Sequence, residues 1–390
     1  MFSTLDSIDW EGLGYHIYPR HEEIPKAIRD LLSPEEVVRE EARGFLLGAQ
    51  QDFGDICDTT PRIIPFCLEV LAMEGAPGKA ELMQHLAGQG MYIAESRVRS
   101  VHMMDLCLQT YAALRAGLVV YLDLLARGDR DKRLAVCELL QYMTDDSERL
   151  IPALLERVER ETDEAVQAGL LYCLKTLFAS LEWPRFPLKE QYAPALRMIV
   201  EGHPSPRARV AAARASVELL QYQMRDDKLL SAQVAELLAL EFLQPGPPIH
   251  WTEDIPLIYQ EHLAHDLARL SDPAPLLRLL SDPGITAEQA HIIARGLLCQ
   301  AFVHREHQRS HWEQMASYDK RKEGDFYLRE HSIASFQLKR GPVRAILQAI
   351  TAADRVWERP TNLFSYFYGL PDSRDALRAL AEGKNGINSS

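Results

Sequence analysis

The feature that most constrains this chain is a helix–turn–helix unit that returns several times in one register. Apolar residues recur at i, i+3, i+4 and i+7 through most of the 390 residues, while alternating runs that would read as strands are scarce. The segments 24–47, 118–143, 150–177 and 192–220 each read as a helix, a short polar turn and a second helix. They align on Arg39, Arg133, Gln167 and Arg209, each early in the second helix. Three residues further on stand Ala42, Val136, Leu170 and Ala212. About fourteen or fifteen residues upstream are Pro25, Val119, Pro152 and Pro194, where a first helical turn accepts proline because its amides have no intrahelical partner. The turns "SPEE", "GDRD" and "HPSP" end the first helix and supply caps for the second. Successive later anchors are about 34 and 42 residues apart, the spacing of helical repeat arrays. One such pair cannot bury its own apolar stripe, so neighbours must share a core. The expected fold is all-α: a right-handed α-solenoid of stacked antiparallel helix pairs.

Regular repeats are expected over 1–240, a less regular helical part and cap over 241–382, and a disordered tail over 383–390. The Pro- and Gly-rich stretch 242–256 reads as a long loop. The ring cluster Phe364–Tyr368 suits a terminal cap, with a sticky end for a partner as the other reading.

The frame resembles HEAT repeats, with proline near the start of the first helix and Val38-Arg39-x-x-Ala42 opening the second. More narrowly, the first 75 or so residues resemble a group of bacterial HEAT-repeat proteins. Trp10 and Leu13 match their Trp-x-x-Leu opening, and Gly54, Asp58, Thr60, Pro65 and Phe66 match a linker that follows the first pair. Where that group commonly has His-Gln-Gly, this chain has Asp52-Phe53-Gly54, so a role for that histidine does not carry over. The resemblance implies the architecture and leaves function open.

A net charge of −13 opposes phosphate binding and an anionic membrane surface, and suits a partner with a basic face. The six cysteines stand singly, without C-x-x-C or zinc spacing, as reduced core residues of a cytoplasmic protein. No uninterrupted apolar run approaches a membrane span, and the N-terminus lacks a signal pattern. Phosphate loops, dinucleotide glycine fingerprints, nucleophile elbows and H-E-x-x-H are missing, so no catalytic residue and no cofactor is assigned.

Three places invite chemistry. In "FGDICDTTPRIIPF" (53–66), Asp55 and Asp58 oppose a Cys57 thiolate, and Thr59 or Thr60 with Pro61 reads better as a helix start. His304, His307 and His311 share one helix face and could hold a metal, without a carboxylate to complete the set. His262 and Asp266 read as a surface pair, and His250 and Trp251 as loop contacts for a partner. The expectation is a non-enzymatic scaffold that binds a protein partner, a basic toxin in an immunity-type role being one version. Its contacts would be exposed polar residues of second helices, Glu40, Arg43, Glu138 and Arg214, with His250 and Trp251. The competing reading is a metal-binding enzyme or lyase-like subunit using the histidines of 304–311.

Overall fold

The computed structural model describes residues 2–13, 21–52, 55–99, 104–180, 186–220, 227–246, 256–270, 272–302, 341–358, 370–371 and 373–382. Among them the fold is all-helical, apart from a two-residue antiparallel ladder pairing Gln51–Asp52 with Asp55–Ile56. The chain divides into two compact units, Met1–Trp183 and Pro184–Ser390.

The first unit holds α1 (Ile24–Asp30), α2 (Glu36–Gln50), α3 (Thr60–Ala72), α4 (Lys79–Arg99), α5 (Met104–Ala116), α6 (Leu118–Arg127), α7 (Arg130–Leu140), α8 (Ser147–Arg160) and α9 (Glu164–Ala179). Consecutive helices α1 and α2, α3 and α4, α6 and α7, and α8 and α9 pack on each other. Of these pairs, the second helices contact in series, α2 with α4, α4 with α7 and α7 with α9; α1 touches α3, and α3 touches α6. The α3–α4 pair and the additional α5 fall between the repeats that the sequence frame picks out.

The second unit holds α10 (Phe186–Gly202), α11 (Pro206–Leu220), α12 (Lys228–Leu243), α13 (Pro256–Ala268), α14 (Ala274–Leu280), α15 (Ala287–Phe302), α16 (Gly341–Ala352) and α17 (Arg374–Glu382). Here α10, α12, α14 and α16 contact in series, as do α11, α13 and α15. Within the described residues α11 is buried from Val210 to Leu220, so its small side chains ("VAAARASVELL") meet neighbours on every side.

The anchor residues turn out to share one job. Arg39 Nη1 donates to the carbonyls of Ser33 (2.7 Å) and Pro34 (3.0 Å). Arg133 Nη1 donates to Gly128 O (2.9 Å), Gln167 Nε2 to Glu161 O (2.6 Å) and Arg209 Nε to Val200 O (2.9 Å). Each acceptor lies at the end of the preceding helix or in the turn after it, where carbonyls lack an intrahelical donor and the helix dipole favours a cation. Two further side chains do the same: Gln260 Nε2 reaches Phe242 O (2.9 Å), and Arg374 Nε reaches Thr351 O (2.7 Å). Each clamp ties the second helix of a pair to the C-terminal end of the first.

Caps complete the turns. Asp129, Asp163 and Asp227 accept amides of α7, α9 and α12, and Ser205 Oγ accepts Ala208 N. Thr286 and Gln289 exchange bonds as a capping box at the start of α15. The proline expectation needs correction. Pro25 does sit in the first turn of α1, but Pro152 and Pro194 lie inside α8 and α10, which begin further upstream than the repeat frame suggests.

The segment after the ladder starts a helix at Thr60 with Pro61 in its first turn, as its sequence suggests, but its threonines do not cap it. Thr59 occupies the N-cap position of α3 without a capping bond; its hydroxyl donates back to Ala49 O at the end of α2. Thr60 Oγ1 donates to Gln50 O (2.8 Å) and accepts Cys57 N (3.2 Å). Both threonines are buried, and serve to close the end of α2 rather than to open α3. Trp10 packs against Phe66, ring centroids 6.3 Å apart, and donates from Nε1 to Leu5 O (3.0 Å), so these two residues share one core. Thr60→Val would remove one of the two bonds made by Gln50 O and by Cys57 N–H, which also bond each other (3.1 Å); we expect a loss of about 1 kcal/mol in urea unfolding, against less than about 0.5 kcal/mol for exposed Asp58→Ala.

Candidate partner-binding surface

Glu40 is exposed on α2, as expected of a contact residue. Arg43, one turn on, is mostly covered and pairs with Glu36 (3.0 Å), which also binds Arg39. Glu138 on α7 is half-buried. The exposed side of α2 further carries Val37, Glu41, Gly44, Leu47 and Gly48. Val37 and Leu47 are among the exposed large apolar side chains of the described residues.

Arg214 requires correction. Read as an exposed contact, it is 1% exposed, and its Nε binds Asp266 Oδ2 at 2.8 Å. Asp266, expected in a surface pair with His262, is itself 0% exposed. The Arg214 guanidinium lies 5.6 Å from the Tyr259 ring centroid, and Tyr259 donates from its hydroxyl to Glu241 Oε1 (2.9 Å). One turn along α11, buried Glu218 binds Arg269 through both carboxylate oxygens. Such charges survive burial only when each has its opposite. The network therefore holds α11 to α13 and is not a free surface. Asp266→Leu would strand a buried guanidinium, and we expect a loss of about 3–5 kcal/mol, with the double variant Arg214→Met/Asp266→Leu recovering a large part of it in urea unfolding.

A second buried polar group lies behind α2. The Gln50 and Gln89 side chains are 0% exposed, and Gln50 Oε1 accepts from His85 Nε2 (2.5 Å) and Gln89 Nε2 (3.3 Å). Burial, and then the charge of Arg43, push the His85 pKa down to about 4. An imidazole in the unfolded chain titrates near 6.5. The folded state thus prefers neutral His85, and its contribution is complete above about pH 6.5 and declines as the pH falls towards 4. We expect wild type to lose about 2 kcal/mol more than His85→Gln between about pH 7 and pH 4, read as the difference between their urea unfolding curves. Nothing in the spacing of residues 50, 85 and 89 announces this cluster; it depends on α2 meeting α4.

His250, Trp251, His304, His307 and His311 lie outside the described residues, so the geometry of the loop contacts and of the histidine face is not part of this structure. Among the described residues, no three His, Cys, Asp or Glu side chains gather as a metal-binding group, and no helix is long and apolar enough to cross a membrane. Cys57, Cys67, Cys107, Cys137 and Cys173 are buried thiols. Burial pushes the Cys67 thiol up to about 12 and raises those of Cys137 and Cys173, so none of these three offers a thiolate near neutral pH.

Charge is divided unevenly. The unit Met1–Trp183 has 31 aspartates and glutamates against 18 lysines and arginines, whereas Pro184–Ser390 has 25 of each. The whole excess of negative charge therefore belongs to the first unit. In comparisons with known proteins, the chain matches no family model and no curated protein sequence.

Proposed function

We propose that the chain is a HEAT-like α-solenoid, a cytoplasmic, non-enzymatic scaffold that binds a basic protein partner through its acidic first unit. The observation that carries this reading is the pattern of helix contacts. In the first unit the second helices α2, α4, α7 and α9 touch in chain order, as do the first helices α1, α3 and α6; in the second unit α10, α12, α14 and α16 form one such series and α11, α13 and α15 the other. Clamps and caps set at the turns keep that order. An array built this way confines its core to neighbouring pairs and leaves outward side chains free to vary, which suits recognition of a large partner. The charge division supports the partner's chemistry, since a strongly acidic unit steers cationic surfaces and repels nucleic acid. A toxin neutralised by this chain is one partner of that kind.

The test is a native pull-down with the full chain at low and high salt. A stoichiometric protein with an excess of lysine and arginine, released between about 50 and 500 mM salt, is the expected result. Recovery of no stoichiometric partner, or of one indifferent to salt, contradicts the reading.

A further inference from the structure

One side of α2 is left unused by the packing of the first unit. Val37 is 64% exposed and Leu47 is 39% exposed. With Glu40, Glu41, Gly44 and Gly48 they fall at helical spacing on a single face, about 15 Å long from Val37 to Leu47. Among the described residues, no neighbour covers these two apolar side chains of an otherwise polar, glycine-interrupted face.

The glycines sharpen this. A Cβ placed on Gly44 or Gly48 would meet nothing within 4 Å, so no contact within the protein requires either to be glycine. Both nevertheless weaken a helix that alanine would strengthen. A backbone without side chains is useful where another backbone has to come close, and among the described residues nothing does so at Gly44 or Gly48. Charge then selects the occupant. Glu40 and Glu41 border the glycines in the unit that carries the entire negative excess, so a second copy of the chain would bring like charges together.

We propose that this face of α2 docks a lysine- and arginine-rich amphipathic helix of a partner protein. Its apolar side rests on Val37 and Leu47, its backbone crosses Gly44 and Gly48, and its cationic flank meets Glu40 and Glu41. The proposal rests on the scaffold reading above and assigns the contact to one helix.

The probe is a synthetic amphipathic helix of leucine and lysine, with a twin in which glutamate replaces every lysine, titrated into the full chain by fluorescence anisotropy. The lysine peptide binds at least about ten-fold more tightly than its twin, and salt weakens it. Gly44→Ala/Gly48→Ala raises the urea midpoint of the protein yet weakens peptide binding by about five-fold or more, so stability and binding move in opposite directions. Glu40→Lys/Glu41→Lys weakens it about ten-fold, whereas Glu159→Lys, an exposed acid of α8, changes it less than about two-fold. Equal losses from Glu159→Lys would reduce the effect to overall charge and overturn the site, as would wild-type affinity in the glycine variant. A dimer of the chain that Leu47→Asp dissociates would give the face to a second copy and also overturn it. A salt-sensitive partner captured by the wild-type chain and equally by both α2 variants would overturn this site while leaving the scaffold reading intact.

Discussion

The structure depends on one repeated hydrogen bond, from a long polar side chain early in a second helix to the open carbonyls at the end of the first. Arg39, Arg133, Gln167, Arg209, Gln260 and Arg374 all make it, in both units. A helix end has carbonyls without donors, and in a tight turn between packed helices water reaches them poorly. A donor carried by the next helix satisfies them and fixes where that helix lies. In the first unit the clamps are linked: Arg133 also pairs with Glu161 (3.1 Å), whose own carbonyl receives Gln167. Burial opposes the charge of Glu161, but the amides of Asp163 and Thr162 and the guanidiniums of Arg157 and Arg133 outweigh it and hold its pKa below the usual carboxylate range.

This also explains how much could be read beforehand. The anchors at 39, 133, 167 and 209 stand out in sequence because the clamp demands a long donor at one distance from the turn, whatever the rest of the repeat contains. Gln260 and Arg374 escaped because the stretches before them, Pro- and Gly-rich at 242–256 and ring-rich at 364–368, break the spacing that defines the frame. The α3–α4 pair escaped for a related reason: interior Pro65 and the glycines at 75, 78, 88 and 90 blur its periodicity. Thr59 and Thr60 looked like caps because threonine before a helix usually is one. Their choice of the preceding helix is decided by the two-residue ladder that folds Cys57 back onto Gln50.

Buried charge was the least legible part. An arginine within a helical pattern reads as solvent-facing, and the partner that makes Arg214 a core residue, Asp266, lies 52 residues away on another helix. On α2 the reading was mixed, since Arg43, taken with Glu40 as exposed, is mostly covered and paired with Glu36. Glu40 was recognisable as exposed, and the division of charge could be counted once the boundary at Trp183 was drawn. The two units thus use the same clamp and differ in charge. One carries the whole negative excess of the sequence, with Glu161 buried against Arg133 and Arg157, and the other is balanced in charge, with the Arg214–Asp266 and Glu218–Arg269 pairs inside it.

The most direct test of this account compares clamp arginines with an ordinary surface arginine. Arg133→Met and Arg209→Met keep much of the aliphatic stem and remove the donor, while Arg127→Met removes only an exposed i, i+4 pair with Asp123. Urea unfolding of the full chain should show losses of about 1.5–3 kcal/mol for each clamp variant and less than about 0.5 kcal/mol for Arg127→Met. Clamp variants no less stable than Arg127→Met would contradict the claim that these bonds hold the helix pairs together.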